Sequence, residues 1–463
     1  MQEDQAKIEL FETRPLPSAI ATMAIPMVMS SLVMVLYSLA DTYFVSLLNS
    51  SIQNAAVTLA SPVLLAFNAV NNLFGVGASS MMSRSMGLRD YDTVKRTSVF
   101  SFYCALASGL LFSLLCTVFH TPLLGLLGAD METAAATSEY MFWTVTCGAA
   151  PAILNVVMGQ MVRAEGASVH ASIGVMSGCL LNIVLDPIFI LPWGFNMGAA
   201  GAGLATFISN CVACLYFLVL MFVKRGRTYV SVDPRKFSFN KRIMAGVFGV
   251  GLPASIQNLL NVTSMTIFNN FAAAFGTDAL AAMGIVKKID QIPMNIAMGM
   301  TQGIMPLVSY NYSSGNIKRA KGAVLLTGKI GSAFLLLTTA LFFFGAGGVM
   351  SLFTKIDVVA AYGVSFMRGM CLGLTFLCLD FLAVGVFQAV GLGHYALFFA
   401  FARKILLEIP LIYLLNALVP LYGLPYAQTV TEIIMAILAM FVLVRLFRKW
   451  EKNAAAASAQ PVE

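Results

Sequence analysis

The sequence predicts an all-α membrane protein of twelve transmembrane helices, arranged as two six-helix lobes related by a pseudo-two-fold axis along the membrane normal. Three observations lead there: an apolar composition, a near-continuous series of helix-length apolar runs, and a pattern that repeats at a nearly fixed interval. Of the 463 residues, 59% are hydrophobic and 11% charged, where a soluble chain carries roughly 25% charged residues. Each run suffices to cross a hydrocarbon core of about 30 Å, which takes about 20 helical residues. No stretch is left over for a soluble domain.

The opening residues, MQEDQAKIELFETRPLPS, mix charges of both signs and lead into an apolar run with no small-residue cleavage motif. A cleaved signal peptide is not expected. Apolar runs between polar breaks place helices over 14–46, 54–82, 94–119, 136–160, 168–190 and 198–223. A second set follows over 241–273, 279–309, 320–347, 357–388, 394–418 and 421–446.

An even number of spans puts both termini on one face. Lys and Arg collect in cytoplasmic segments. All of the 28 except Lys287, Lys288, Lys355 and Arg368 fall to one set of alternate segments, Arg403 and Lys404 included. The opposite connections are neutral or acidic: SLLNSSIQ is uncharged, and 119–139 offers Asp130, Glu132 and Glu139. Both termini are expected on the cytoplasmic side of the cell membrane. This topology signal and anionic lipid account for the net charge of +7 without a nucleic-acid partner.

The longest polar connection, KRGRTYVSVDPRKFSFNKR, lies at mid-chain. It divides the chain into an N-terminal lobe, 1–223, a cytoplasmic linker, 224–240, and a C-terminal lobe, 241–450. The tail 451–463 has nothing to bury and is expected to be disordered. The halves echo one another. AIPMVMSS around Pro26 matches GLPASIQN around Pro253, the segment near Gly87 matches that near Gly315, and RAEG at 163–166 matches QAVG at 388–391. Repeats about a membrane-normal axis mark secondary transporters that rock two bundles around a site. Small-residue runs, GVGASS at 75–80 and NMGAAGAGLATFIS at 196–209, suit close helix packing.

Other chemistries find little support. No GKS or GKT follows a strand, and neither HExxH nor GxSxG is present, so an ATP-driven pump and a membrane-embedded lipid-headgroup enzyme are both disfavoured. The protein is not expected to be an enzyme or to hold a cofactor. The eight cysteines lie in apolar runs, where packing is the better account even of Cys211 and Cys214. His120, His170 and His394 are scattered singly.

Charges deep in a span cost roughly 2.5–3.5 kcal/mol each on insertion scales and by default mark pathways or relays. Two stand out in the first half, Asp41 and Asp186. Tyr37 and Asn182 each precede one of them by four residues, on the same helix face. A carboxylate in low dielectric exchanges a proton closer to neutral pH than one in water, and two carboxylates with Asn and Thr oxygens also suit Na⁺. The blander alternative is that both aspartates bond helix ends or sit at the membrane rim. Pro26 is positioned to bend the first span, and Asn68, Asn71, Asn155 and Gln160 are candidates to line a cavity. In the second half Lys287, Lys288, Asp290, Arg368, Asp380 and Glu408 suggest internal neutralisation, with Lys287 or Lys288 paired to Asp290 or Asp380. Glu408 before Pro410 roughly echoes Asp186 before Pro187, while Phe268 occupies the place matching Asp41.

The IPM of 25–27 and LADTYFV of 39–45 resemble the first span of the MATE (multidrug and toxic compound extrusion) family. RAEG, LNIVLDPIFI at 181–190 and GAAGAGLATFIS at 198–209 are similar to its fifth and sixth spans. The resemblance implies a two-lobe antiporter that exports small-molecule drugs or toxins (organic cations and amphipathic compounds) while H⁺ or Na⁺ enters; membrane lipid is an expected partner and a monomer the expected unit. Its DinF-like branch places the coupling cluster on Asp41, Asn182, Asp186 and Thr206, with Pro26 and Tyr37 accompanying bending of the first helix. Asp290 and Asp380 remain substrate or gating candidates. NorM-like members use a seventh-span Glu, but here that region holds Gln257, Asn258 and Asn261. A lipid-linked saccharide flippase of related fold is the nearest rival; it tends to line its cavity with several arginines, for which only Arg368 is a candidate.

Overall fold

The computed structural model describes residues 2–48 and 50–458. Helices joined by short turns account for its regular structure, and no strand occurs among the described residues. Eight helices are long and apolar enough to cross a membrane singly, and two further crossings are pairs bent by 48° and 46°. Spans eight and eleven carry their charges inside, Lys287, Lys288 and Asp290 in one, Arg403, Lys404 and Glu408 in the other. The twelve expected spans are therefore Leu16–Ser46, Ser51–Gly87, Tyr91–Val118, 134–164, Ser168–Ile190 and Ala199–Val223, then Lys241–Ala273, Thr277–Ser313, Ile317–Phe353, 357–389, 393–418 and Gly423–Ser458.

Helix ends depart from the expected ones where a polar cap, not the apolar run, sets them. The third span starts at Tyr91 because the Asp90 side chain accepts the Thr93 N–H at 3.1 Å. The ninth starts at Ile317 because Asn316 accepts from Arg319 N–H at 3.3 Å. The twelfth runs on to Ser458, so residues 451–458, expected to be disordered, are helical. Their alanines have the highest intrinsic helix preference, which continues the helix after its apolar face ends. The rest of that expected tail, 459–463, lies outside the described residues. A short helix, Gln2–Glu12, precedes the first span. It is too short and too charged to register as an apolar run.

The two bends recur at matching places. The fourth span turns at Gly148 and the tenth at Leu372–Gly373. π-helical turns occupy Asn71–Val76, Phe142–Cys147 and Ala402–Glu408, a distortion that often sits at functional sites.

The chain forms two compact units. The first holds residues up to Leu10 and Met29–Ser255; the second holds Phe11–Val28 and residues from Ile256 onward. The change of unit falls three residues after Pro26 in the first span and three after Pro253 in the seventh. Both prolines lie inside continuous helices, where each removes one N–H donor. The expected linker, 224–240, packs on the first unit: Tyr229 stacks on Tyr91 with ring centres 4.6 Å apart, and Tyr103 Oη donates to the Val232 carbonyl at 2.9 Å.

Within the first unit, a Cβ on Gly201 would press on the Phe189 and Ile190 backbone, and one on Gly203 would meet the Tyr140 carbonyl at 3.0 Å. Within the second, Gly303 faces the Ala24 backbone. Close approach of this kind is the use expected for small residues in membrane helices. Large apolar side chains are left exposed along the spans, as in Leu110, Leu111, Leu114, Leu115 and Val118, which suits contact with lipid.

Candidate functional site

In the first unit the fifth span, Ser168–Ile190, carries Asn182 and Asp186 one turn apart. Asp186 is 0% exposed and Asn182 2%. The Asn182 amide is best satisfied with its nitrogen donating to Asp186 Oδ2 at 2.8 Å and Oδ1 at 3.2 Å and its oxygen accepting the Thr206 N–H at 3.1 Å. The opposite amide orientation reaches Thr206 Oγ1 at 3.3 Å. Either way the fifth and sixth spans are joined at this point. The first span brings Asp41 within electrostatic reach of Asp186, and Tyr37, whose side chain bonds Thr206. Tyr140 of the fourth span faces Tyr37, Asp41 and Asp186 as well.

No Lys or Arg acts on either aspartate among the described residues. Two carboxylates, Asp186 buried and Asp41 half-buried, therefore lie within electrostatic reach of one another without a protein counter-charge. Such a pair is stabilised by a cation or a proton from outside. Pro187 adds to this: lacking an N–H, it leaves the Ile183 carbonyl without its helical donor one turn from the carboxylate.

The second unit is built the other way. Arg403 bonds Asp380 at 3.3 Å and also Glu432, all three buried. Lys404 bonds Glu408, whose other oxygen accepts from Ser264 Oγ at 2.6 Å. Lys287 lies 3.9 Å over the Phe268 ring and faces Asp290, which also bonds Gln428. Each of these four carboxylates faces a cation from the chain itself.

A family profile described as MatE matches residues 26–188 and 253–414, two segments that open on Pro26 and Pro253. The chain belongs to the MATE family. It is 32% identical over 446 residues to the multidrug export protein MepA of Staphylococcus aureus (strain MRSA252), spanning 96% of each chain. Among solved structures it matches an outward-facing multidrug resistance MATE family transporter of the MOP superfamily with a TM-score of 0.90 and 28% identity, over 96% of this chain and 98% of that one. It also matches a MOP superfamily transporter of Pyrococcus furiosus Vc1 (DSM3638), with a TM-score of 0.87 and 27% identity over 98% and 99%. For that transporter, reverse polarity of the binding pocket suggests a different function.

This MATE chain brings Tyr37, Asp41, Asn182, Asp186 and Thr206 together and leaves other expected residues elsewhere. Pro26 belongs to the second unit's part of the first span. Asn68 is exposed. Asn155 donates to Asn210 Oδ1 at 2.8 Å, and Gln160 accepts from Arg163 at 2.9 Å, so both tie span to span or turn to turn. Asp380 stands in an ion pair of the second unit, and Asp290 lies within electrostatic reach of Lys287 there. Neither Lys287 nor Lys288 is the ion-pair partner of Asp380; that partner is Arg403. Arg403 and Lys404, counted from the sequence as cytoplasmic flank residues, sit mid-span and bond internal carboxylates. They drop out of the charge bias on which the expected orientation rests, leaving the other 22 basic residues of that set in it. Glu432 went unremarked although a lone acid in an apolar run, TVTEII, is the same signal that singles out Asp41. Tyr140 and Ser264 had no such signal.

Proposed function

We propose that this MATE protein is a secondary active multidrug efflux antiporter of the cell membrane. It exports organic cations and amphipathic toxic compounds in exchange for H⁺ or Na⁺, with both termini cytoplasmic and the monomer in lipid as the working unit. Family membership and the name of the Staphylococcus relative support the export role. The observation that carries the coupling site is the pair of a buried Asp186 and a half-buried Asp41 in the first unit with no protein cation acting on either.

In the proposed cycle the outward-open protein takes one ion onto Asp41 and Asp186. Asn182 orients Asp186, and Thr206 and Tyr37 supply neutral oxygens. Neutralising the pair removes the cost of holding two like charges in low dielectric, and this favours drug release and return to the inward-open form. A ligand shifts such an equilibrium only by its differential affinity for the two forms.

The test is dye efflux in proteoliposomes, with pH and Na⁺ gradients imposed separately on the wild type and on Asp41→Asn and Asp186→Asn. Gradient-driven efflux should fall to the passive rate in both variants. If either keeps full gradient-driven efflux, the coupling site lies elsewhere. Whichever gradient alone drives the wild type identifies the ion.

A further inference from the structure

Ser264 and Phe268 stand at the same interval from Tyr37 and Asp41 that separates Pro253 from Pro26. Counting from the match of RAEG with QAVG, Glu408 falls within a helical turn of the place that answers to Asp186. The two units thus raise polar clusters on corresponding spans but finish them differently. In the first, Tyr37 neighbours two aspartates that lack a cation. In the second, Ser264 bonds Glu408, Phe268 replaces the first-span carboxylate, and Lys404, one turn from Glu408 on the π-helical turn, bonds its remaining oxygen.

We propose that Lys404 is a tethered cation that fills the second unit's counterpart of the first unit's ion site, so that only the first unit exchanges an ion with solution.

The charged groups around Glu408 leave Lys404 this role. From its own span Glu408 faces Lys404 and Arg403, and from the eighth span Lys287. Arg403 is held by Asp380 of the tenth span and Glu432 of the twelfth, and Lys287 lies over the Phe268 ring with its charge acting on Glu408 first and Asp290 second, rather than through a direct ion pair. Lys404 is the cation that bonds Glu408 directly. Its ammonium carries the charge of Na⁺ or of an added proton, with three donors and no acceptor. Its covalent tether holds it at a local concentration that a free ion does not match. The two side chains are only 13% and 4% exposed, so little water competes for the pair.

The functional meaning, that coupling belongs to one unit, rests on the coupling site proposed above. The cation count does not. Radiolabelled Na⁺ bound at saturation and protons taken up on acidification are measured on the purified full chain, as differences from the wild type. Lys404→Gln is expected to bind one more monovalent cation per chain, as Na⁺ or H⁺. Lys404→Gln with Glu408→Gln should return to the wild-type count, and Lys404→Arg should never leave it. A folded Lys404→Gln protein that gains neither ion overturns the proposal. Should that variant not fold, Glu408→Gln alone decides. It is expected to bind Na⁺ as the wild type does, whereas loss of a bound Na⁺ would mean that Glu408 already served an exchangeable ion. A gain in Lys404→Gln alongside intact coupling in the Asp41 and Asp186 variants would sink the coupling site and leave the tethered cation standing.

Discussion

The Asn182 amide lies 2.8 Å from Asp186 Oδ2, on one face of the fifth span and beside the N–H of Thr206. A hydrogen bond to a charged group contributes about 1.5–3 kcal/mol. Asn182→Ala is therefore expected to raise the ion concentration for half-maximal efflux roughly tenfold or more, with little change in the fully ion-saturated rate. Dye efflux against stepped Na⁺ and pH measures it, and an unchanged midpoint would remove Asn182 from the site.

Arg403 is shared by Asp380 and Glu432 in the buried part of the second unit. Deleting one member of a buried ionic group leaves its partners uncompensated, at about 3–5 kcal/mol. Arg403→Met should lower thermal stability strongly and cut the yield of folded protein. Arg403→Met combined with Asp380→Asn and Glu432→Gln should recover most of the loss. A single variant as stable as the wild type would show that the two carboxylates do not depend on this guanidinium.

The order of spans was legible because hydropathy depends on local composition, and the duplication because its glycines and prolines keep their spacing. Asp41, Tyr37, Asn182 and Asp186 were legible because a charge in an apolar run costs enough to need a reason, and spacings of four put the pairs on shared faces. Thr206 came only from the family resemblance. Arg403 and Lys404 were misread since adjacent basic residues near a turn look like a membrane flank; what places them inside is their acidic partners, two on other helices and one a turn along their own. The change of unit at Met29 and Ile256 was invisible for a similar reason, since each helix is continuous there and only packing divides it.

Gly109 of the third span faces the backbone of Ala150 in the fourth: a Cβ would fall 2.6 Å from its Cα and 3.0 Å from its nitrogen. Backbone cannot swing aside as a side chain can. Gly109→Ala should cost about 1–3 kcal/mol, read as a lower unfolding temperature in detergent. Gly249→Ala is the control, because nothing lies within 4 Å of its Cβ position. It should lose no stability, given that Ala favours helix over Gly by about 1 kcal/mol. Equal losses at both sites would mean that helix packing does not set the difference.

Asp90 ties a pH dependence to one helix start. Its carboxylate accepts from Thr93 Oγ1 at 2.7 Å and Thr93 N at 3.1 Å, with Arg242 at 3.7 Å. The Thr93 hydroxyl bond foremost, with the backbone bond and the guanidinium, holds this carboxyl below its ordinary range. A carboxyl depressed in the folded state contributes stability above its unfolded value, about 3.9, and loses it as pH falls through the lower folded value. At neutral pH Asp90→Ala should therefore cost about 1 kcal/mol, the usual worth of an N-cap, and the gap to the wild type should narrow below about pH 4. Asp90→Asn keeps a side-chain oxygen for the Thr93 N–H at every pH. It should match the wild type more closely than Ala at pH 7 without sharing its decline in acid. Thermal unfolding of the three proteins from pH 7 downward separates the contributions: a constant gap between wild type and Asp90→Ala would assign the effect to the cap oxygen and not to its charge.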